Sequence, residues 1–166
     1  MAHITLGENP VVTAGELPQI GTVAPDFKVT KTDLTDTTLS DFQGKNVVLN
    51  IFPSIGTGVC SASVRKFNEL ASGMSNTVVV CVSRDLPFAH KQFCEAEGIE
   101  NVIPTSEYKN DGFSSNYLVK MLDGKFEGLF SRSIVVIDSE GKVIYTEQVP
   151  TIGQEPDYDS ALASIQ

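Results

Sequence analysis

The sequence predicts a mixed α/β fold in which helices cover a central β-sheet. Two short runs rich in β-branched residues, Asn46–Phe52 and Thr77–Ser83, have the length and composition of buried strands. Each is followed by a segment with helical periodicity. Near the C-terminus, two further strand-like runs flank a tight turn, as in a β-hairpin. Alternating strands and helices of this kind are typical of an α/β sandwich.

The N-terminal stretch is expected to form a small β-hairpin of its own. Glycine and proline recur through it as turn signals, and the apolar pieces between them include His3–Leu6 and Pro10–Thr13. The first buried strand, Asn46–Phe52, follows and ends at Pro53, because the residue before a proline is restricted to extended conformations and proline lacks the N–H donor. A loop and then a helix are expected after it.

The segment from about Gly58 to Met74 predicts a helix with one apolar stripe. Val64 and Phe67 belong to that stripe, and Cys60 lies on it four residues before Val64. Thr57 is a suitable N-cap residue, so Cys60 falls in the first helical turn. The remaining predicted elements are the strand Thr77–Ser83, the helix Pro87–Glu97, a short strand Val102–Thr105, a weak helix around Asp111–Met121, the hairpin Ser133–Asp138 with Lys142–Thr146, and a closing helix after Glu155.

This order of elements is that of a thioredoxin-like α/β sandwich, here with an added N-terminal β-hairpin. The 166 residues fit a single domain, 1–166, and the 41% of hydrophobic residues suffice for a core. The formal net charge of −9 argues against a nucleic-acid partner and against binding to anionic lipid. No apolar run approaches the roughly 20 residues of a membrane helix, and the start of the chain lacks a secretory signal, so a cytoplasmic protein is expected.

The cysteines are the chemically informative residues. The three present do not make a structural disulfide framework for a chain of this length. At the start of a helix, unpaired backbone N–H groups and the helix dipole favour the thiolate of Cys60 over the thiol. A lone cysteine on a helix stripe is ordinarily a small apolar residue, but the context Pro53-x-x-x-Thr57-x-x-Cys60 favours a reactive one. A cation near the sulfur would assist, and from the sequence alone Arg65, Arg84 and Arg132 are alternatives.

The motif Pro53-x-x-x-Thr57-x-x-Cys60 is the signature of the peroxiredoxins, and the chain resembles the bacterial thiol peroxidases, their atypical two-cysteine subfamily. The segment around the motif that carries this resemblance is NIFPSIGTGVCSASVRKFNELAS. Four further segments match in order and extend the resemblance over nearly the whole chain: LPQIGTVAPDFKV, VSRDLPFAHKQFCEAEGIENV, SRSIVVIDSEGKVIY and EPDYDSALA.

The resemblance implies a role for each of five residues. Cys60 corresponds to the peroxidatic cysteine and Cys94 to the resolving cysteine, which would close an intramolecular disulfide with it. Thr57 corresponds to the residue that hydrogen-bonds the peroxide, and Pro53 to the residue that shields the thiolate from water. Arg132 corresponds to the active-site arginine.

The resemblance also implies partners and the absence of a cofactor. Members of the subfamily reduce hydroperoxides in antioxidant defence, with alkyl hydroperoxides preferred over hydrogen peroxide, and are recycled by thioredoxin. They form homodimers and use no metal, haem or flavin. Two positions depart from the usual pattern: Gly56 stands where an acidic residue is common, and Arg84 where a small or apolar one is common.

The other candidate residues have simpler interpretations. Cys81, inside a buried strand, is expected to be inert. His3 and His90 lack the spacing of a metal site, and His90 is interpreted as a surface residue of its helix. If Cys60 and Cys94 are both helical when reduced, one segment must unwind before they can pair, and we expect this segment to be Pro87–Gly98. A redox relay and a binding module with inert cysteines are the alternative functions.

Overall fold

A computed structural model describes residues 1–165 of the chain. The strands are β1 (His3–Leu6), β2 (Asn9–Val12), β3 (Lys28–Lys31), β4 (Asp36–Thr38), β5 (Asn46–Ile51), β6 (Thr77–Ser83), β7 (Ile103–Ser106), β8 (Ser133–Ile137) and β9 (Val143–Gln148). The α-helices are α1 (Gly58–Ala71), α2 (Pro87–Glu97), α3 (Gly112–Tyr117) and α4 (Tyr158–Ala163), and a 3₁₀ turn spans Leu39–Phe42.

The main sheet has seven strands in the order β4-β3-β7-β6-β5-β8-β9, and β1 and β2 form a separate antiparallel hairpin. The strands β5, β6 and β7 are parallel neighbours, whereas β8 runs antiparallel to β5. Parallel strands need helical crossovers, and α1 and α2 supply them. The thioredoxin-like sandwich and the N-terminal hairpin predicted from the sequence are therefore confirmed.

Helices pack on both faces of the sheet, which explains why β5 and β6 are mostly apolar. Because side chains alternate along a strand, Val47, Leu49 and Ile51 of β5 pack on the face that α3 covers. Val48 packs on the opposite face, in a cluster that includes α1 and α4. Cys60 is a member of this second cluster and is fully buried.

The third helix is shorter than the sequence predicts. The sequence indicates Asp111–Met121, but the helix covers only Gly112–Tyr117. It ends because Leu118 adopts the left-handed conformation, with φ of 58°. The chain then runs extended, and Lys120 forms a β-bridge with Phe130. Within residues 1–165, no helix is long and apolar enough to cross a membrane.

Candidate active site

Cys60 lies in the first turn of α1, as the N-cap prediction requires. Thr57 precedes the helix in an extended conformation, and its Oγ1 accepts a hydrogen bond from the Cys60 N–H at 3.3 Å. The thiol therefore sits among the N–H groups and at the positive end of a 14-residue helix, a setting that stabilises a negative charge. Because the Thr57 oxygen accepts this bond, its own hydroxyl hydrogen remains able to donate to a bound group.

Arg132 reaches the same sulfur from the neighbouring strand. The antiparallel register of β5 and β8 pairs Ile51 with Ser133, so the chain leaving β5 and the chain entering β8 lie at one edge of the sheet. Pro53 follows the first of these ends and is buried, and Arg132 precedes the second. Both Nη atoms of Arg132 lie 3.5 Å from Cys60 Sγ.

The orientation of Arg132 is fixed from the far side of the guanidinium. Its Nε donates to the Ile152 carbonyl at 2.8 Å. Ile152 is buried with Ile4 and Val11 of the N-terminal hairpin, and its N–H donates to the Thr5 carbonyl at 2.9 Å. The N-terminal hairpin thus fixes the position of the Ile152 carbonyl, which orients the guanidinium towards Cys60.

The charge of Arg132 lacks a carboxylate counterion in the described part of the chain. Its side chain is only 2% exposed. The ion pairs formed among residues 1–165 do not include it. A buried cation is costly unless an anion balances it, and the nearest group that can become anionic is Cys60. The guanidinium of Arg132 therefore faces the Cys60 sulfur rather than a carboxylate.

The other two candidate arginines have different partners. Arg65 donates to Glu97 at 2.9 Å, a surface ion pair between α1 and the end of α2. Arg84 donates to the Gly128 carbonyl at 3.3 Å. Of the three arginines that the sequence left open, the structure brings Arg132 into contact with Cys60.

Cys94 lies near the C-terminal end of α2 and is half-buried. It lines a cavity of about 510 Å³ between α2 and β7, together with Val102 and Pro104. Burial raises the pKa of its thiol to about 11, so the thiol is protonated at neutral pH. Both Cys94 and Cys60 are free thiols in this structure, and the structure does not join them.

Cys81 lies in β6 and is completely buried. Burial raises the pKa of its thiol to about 12, although a long hydrogen bond of 3.7 Å from the Asn50 amide opposes this rise. At about pH 8 its thiolate fraction is then on the order of a thousandfold below that of an ordinary exposed cysteine.

We therefore expect Cys81 to resist alkylation in the folded, reduced protein. Iodoacetamide at about pH 8, followed by peptide mass spectrometry over time, measures this directly. The same reagent in concentrated urea is the control and should label all three cysteines at similar rates. Labelling of Cys81 as fast in the folded protein as in urea would contradict its assignment as an inert core residue.

His90 is the residue that sequence reasoning misplaced. We predicted a surface position on α2, but its side chain is 1% exposed. Its Nε2 lies 2.9 Å from the hydroxyl of Ser83, and its ring packs edge-to-face on Phe52. The sequence signal was available in the pattern of α2, where His90 follows Pro87 by three residues and thus shares its face.

Comparison with known proteins agrees with this geometry. A family model described as Redoxin matches residues 19–162. A thiol peroxidase of Mycobacterium bovis is 52% identical over 165 residues, which cover 99% of each chain. A thiol peroxidase of Corynebacterium glutamicum is 49% identical over 166 residues, with 99% of each chain covered. The crystal structure of a peroxiredoxin-like protein from Aquifex aeolicus superposes with a TM-score of 0.92 at 36% identity, over 97% of this chain and 94% of that one.

Proposed function

The chain belongs to the redoxin family, among the thiol peroxidases, and we propose that Cys60 and Cys94 carry its peroxidase activity in a two-cysteine cycle. The observation that supports the role of Cys60 is its contact with the Arg132 guanidinium, 3.5 Å from both Nη atoms, at the start of a helix. A thiolate held in this way is a nucleophile that water does not solvate.

In the first step the Cys60 thiolate attacks one peroxide oxygen. The S–O bond forms as the O–O bond breaks, the sulfur is oxidised to a sulfenic acid, and the departing oxygen leaves as an alcohol or water after taking up a proton. Negative charge builds on the departing oxygen, and Arg132 and the Thr57 hydroxyl are donors that can stabilise it there. Pro53 helps to close the site to water. Alkyl hydroperoxides are the proposed preferred substrates.

In the second step the Cys94 thiol condenses with the sulfenic acid. Water leaves and an intramolecular disulfide joins Cys60 to Cys94. With a pKa raised by burial to about 11, Cys94 is a weak nucleophile while α2 is intact. Unwinding of α2 would expose the thiol, return its pKa towards the ordinary value of about 8.5, and allow the two sulfurs to meet.

In the third step thioredoxin reduces the disulfide by thiol–disulfide exchange. The two thiols of thioredoxin are oxidised to a disulfide in this step. Such a cycle suits a reducing compartment such as the cytoplasm, and it supports antioxidant defence.

We also propose a homodimer. The exposed side chains of Leu86 and Phe88, 51% and 60% exposed at the start of α2, offer an apolar surface for it.

Peptide mass spectrometry tests the cycle. One equivalent of an alkyl hydroperoxide is added to the fully reduced protein, and the cysteine-containing peptides are mapped. We expect a Cys60–Cys94 link within one chain, with Cys81 still a free thiol. Oxidation confined to Cys60, or a disulfide between two chains, would move the resolving step to another thiol. No reaction at Cys60 would overturn the proposed site.

Replacing Arg132 by methionine is expected to slow the reaction of Cys60 with peroxide by a factor on the order of 10²–10³. Methionine fills similar space but offers no donor to the sulfur or to the departing oxygen. Arg132→Lys keeps the charge but cannot span from the Ile152 carbonyl to Cys60 with fixed donors, so we expect an intermediate rate.

The second-order rate constant is measured by stopped flow with tert-butyl hydroperoxide. Arg65→Met is the matched control, because Arg65 pairs with Glu97 on the surface and its loss should leave the rate nearly unchanged. A rate for Arg132→Met equal to that of the unaltered protein would show that the guanidinium does not assist the chemistry.

A further inference from the structure

The helix that carries Cys94 is held to the protein by very little buried surface. Only Pro87 and His90 are buried in α2, and Pro87 is its first residue. Phe93 and Cys94 are half-buried. The main anchor in the middle of the helix is therefore a histidine rather than an aliphatic or phenyl side chain, and its polar ring requires a specific partner.

His90 finds two partners below the helix. Its ring packs edge-to-face on Phe52, with 6.1 Å between ring centroids, and its Nε2 lies 2.9 Å from Ser83 Oγ. Phe52 directly precedes Pro53, and Ser83 ends β6. Burial lowers the pKa of His90, and the nearby Asp85 carboxylate opposes this only in part. The ring is therefore neutral at pH 7 and has one N–H to donate.

The hydrogen-bond partners determine the direction of donation. Ser83 has a single hydroxyl hydrogen, and Asp85 can only accept, so Ser83 donates to Asp85 Oδ2 at 2.6 Å. The Asp85 N–H approaches Ser83 Oγ at 3.2 Å and uses one lone pair. The remaining lone pair accepts from His90, which must carry its hydrogen on Nε2. The chain of donors thus runs from His90 through Ser83 to Asp85.

Asp85 in turn holds the loop that leads to Cys60. Its Oδ1 accepts from the Ser54 hydroxyl at 2.7 Å, and its Oδ2 accepts from the Ile55 N–H at 2.8 Å. These two residues lie between Pro53 and Thr57, in the segment that positions the N-cap of α1. The carboxylate is the shared acceptor for the loop on one side and for Ser83 on the other.

We propose that His90 and Asp85 are positioning residues that couple the folded state of the Cys94 helix to the order of the Cys60 loop. The inference rests on the proposed role of Cys94 as the resolving cysteine. While α2 is intact, His90 orients Ser83 and Asp85, and Asp85 holds the loop in the geometry that places Thr57 and Cys60. When α2 unwinds, Ser83 loses its donor, the hold of Asp85 weakens, and the loop loosens as the two sulfurs approach.

Hydrogen exchange of the fully reduced protein tests this coupling without any peroxide. In His90→Ala we expect the amide exchange rates in α2 to rise about tenfold, because one buried hydrogen bond is lost. We also expect faster exchange at the Ile55 and Thr57 amides. In Asp85→Asn we expect faster exchange in the same two segments, with the larger increase in the loop. His90→Gln keeps an N–H donor and should restore most of the protection in both segments.

Lys91→Ala is the matched control, since its side chain on the same helix is 59% exposed and should affect neither segment. The proposal is overturned if His90→Ala loosens only α2 while Asp85→Asn loosens only the loop. It is equally overturned if the effects of the two substitutions are additive in the double variant.

A kinetic measurement separates this inference from the proposed cycle. After oxidation, His90→Ala should close the Cys60–Cys94 disulfide several-fold faster but react more slowly with peroxide. Absence of that disulfide in the unaltered protein contradicts the resolving role of Cys94, whereas the exchange experiment continues to decide whether α2 and the loop are coupled. Equal rates in His90→Ala and the unaltered protein, with the disulfide present in both, contradict the coupling alone.

Discussion

Replacing Cys60 by serine is expected to abolish peroxide reduction. A serine hydroxyl is a far weaker acid and a far weaker nucleophile than a thiol, and its oxygen does not form the sulfenic acid that sulfur forms with a peroxide. The two side chains have nearly the same size, so packing around this fully buried position is retained. The expected result is no consumption of tert-butyl hydroperoxide above the uncatalysed rate in an assay coupled to thioredoxin and its reductase.

The chain offers a close control for this substitution. Cys81 is also buried in the cluster that contains Cys60, and Cys81→Ser removes a thiol from the same face of the sheet. We expect Cys81→Ser to retain peroxidase activity even where it lowers the melting temperature by placing a hydroxyl in an apolar site. Turnover in Cys60→Ser comparable to that in Cys81→Ser would mean that the nucleophile is another residue.

The elements that place Cys60 could be predicted because their signals are local. The strand β5 is a mostly apolar run that ends before Pro53, and α1 has a threonine N-cap followed by an apolar stripe. Neither signal depends on distant residues. At their C-terminal ends β5 is one residue shorter and α1 three residues shorter than predicted, since the ends of helices and strands are least defined by sequence.

The missed elements depend on contacts distant in sequence. The strands β3 and β4 are short and polar, with sequences KVTK and DTT. They are strands because β3 pairs with both β4 and β7, and β4 pairs with β3. The weak helix predicted around Asp111–Met121 extended past Tyr117, but Leu118 adopts the left-handed conformation, and Lys120 and Met121 form β-bridges with Phe130 and Thr13 instead. Tertiary pairing overrode local propensity in both places.

Only part of the candidate active site could be predicted from the residues alone. Position at a helix start identified Cys60 and Thr57, but nothing local distinguished Arg132 from the other arginines, because its approach depends on the register of β5 with β8. The resemblance to the thiol peroxidases supplied that choice. His90 was misjudged because a histidine on an amphipathic helix is ordinarily solvated, and the buried acceptor at Ser83 comes from a different element.

Replacing Cys94 by serine is expected to allow one oxidation of Cys60 and to block recycling by thioredoxin. The sulfenic acid would still form, because the contacts of Cys60 with Arg132 and the helix start do not involve Cys94. Serine cannot complete a disulfide, so thioredoxin would lack its substrate and steady turnover would cease. The measurement is the peroxide consumed per chain when one equivalent is added, which should all be used for a single oxidation of Cys60, together with trapping of the sulfenic acid by dimedone.

The fate of the stalled intermediate distinguishes a resolving cysteine from a structural one. With excess peroxide, Cys94→Ser should advance to the sulfinic acid, because the condensation that protects the sulfenic acid in the unaltered protein has been removed. A structural role for Cys94 would instead lower the melting temperature and leave recycling intact. If Cys94→Ser turned over normally with thioredoxin, either Cys81 or a thiol of thioredoxin would have to attack the sulfenic acid, and loss of activity in a Cys81→Ser, Cys94→Ser double variant would identify Cys81. Since burial raises the pKa of Cys81 to about 12 and β6 holds it in the centre of the sheet, we expect that double variant to behave as Cys94→Ser alone.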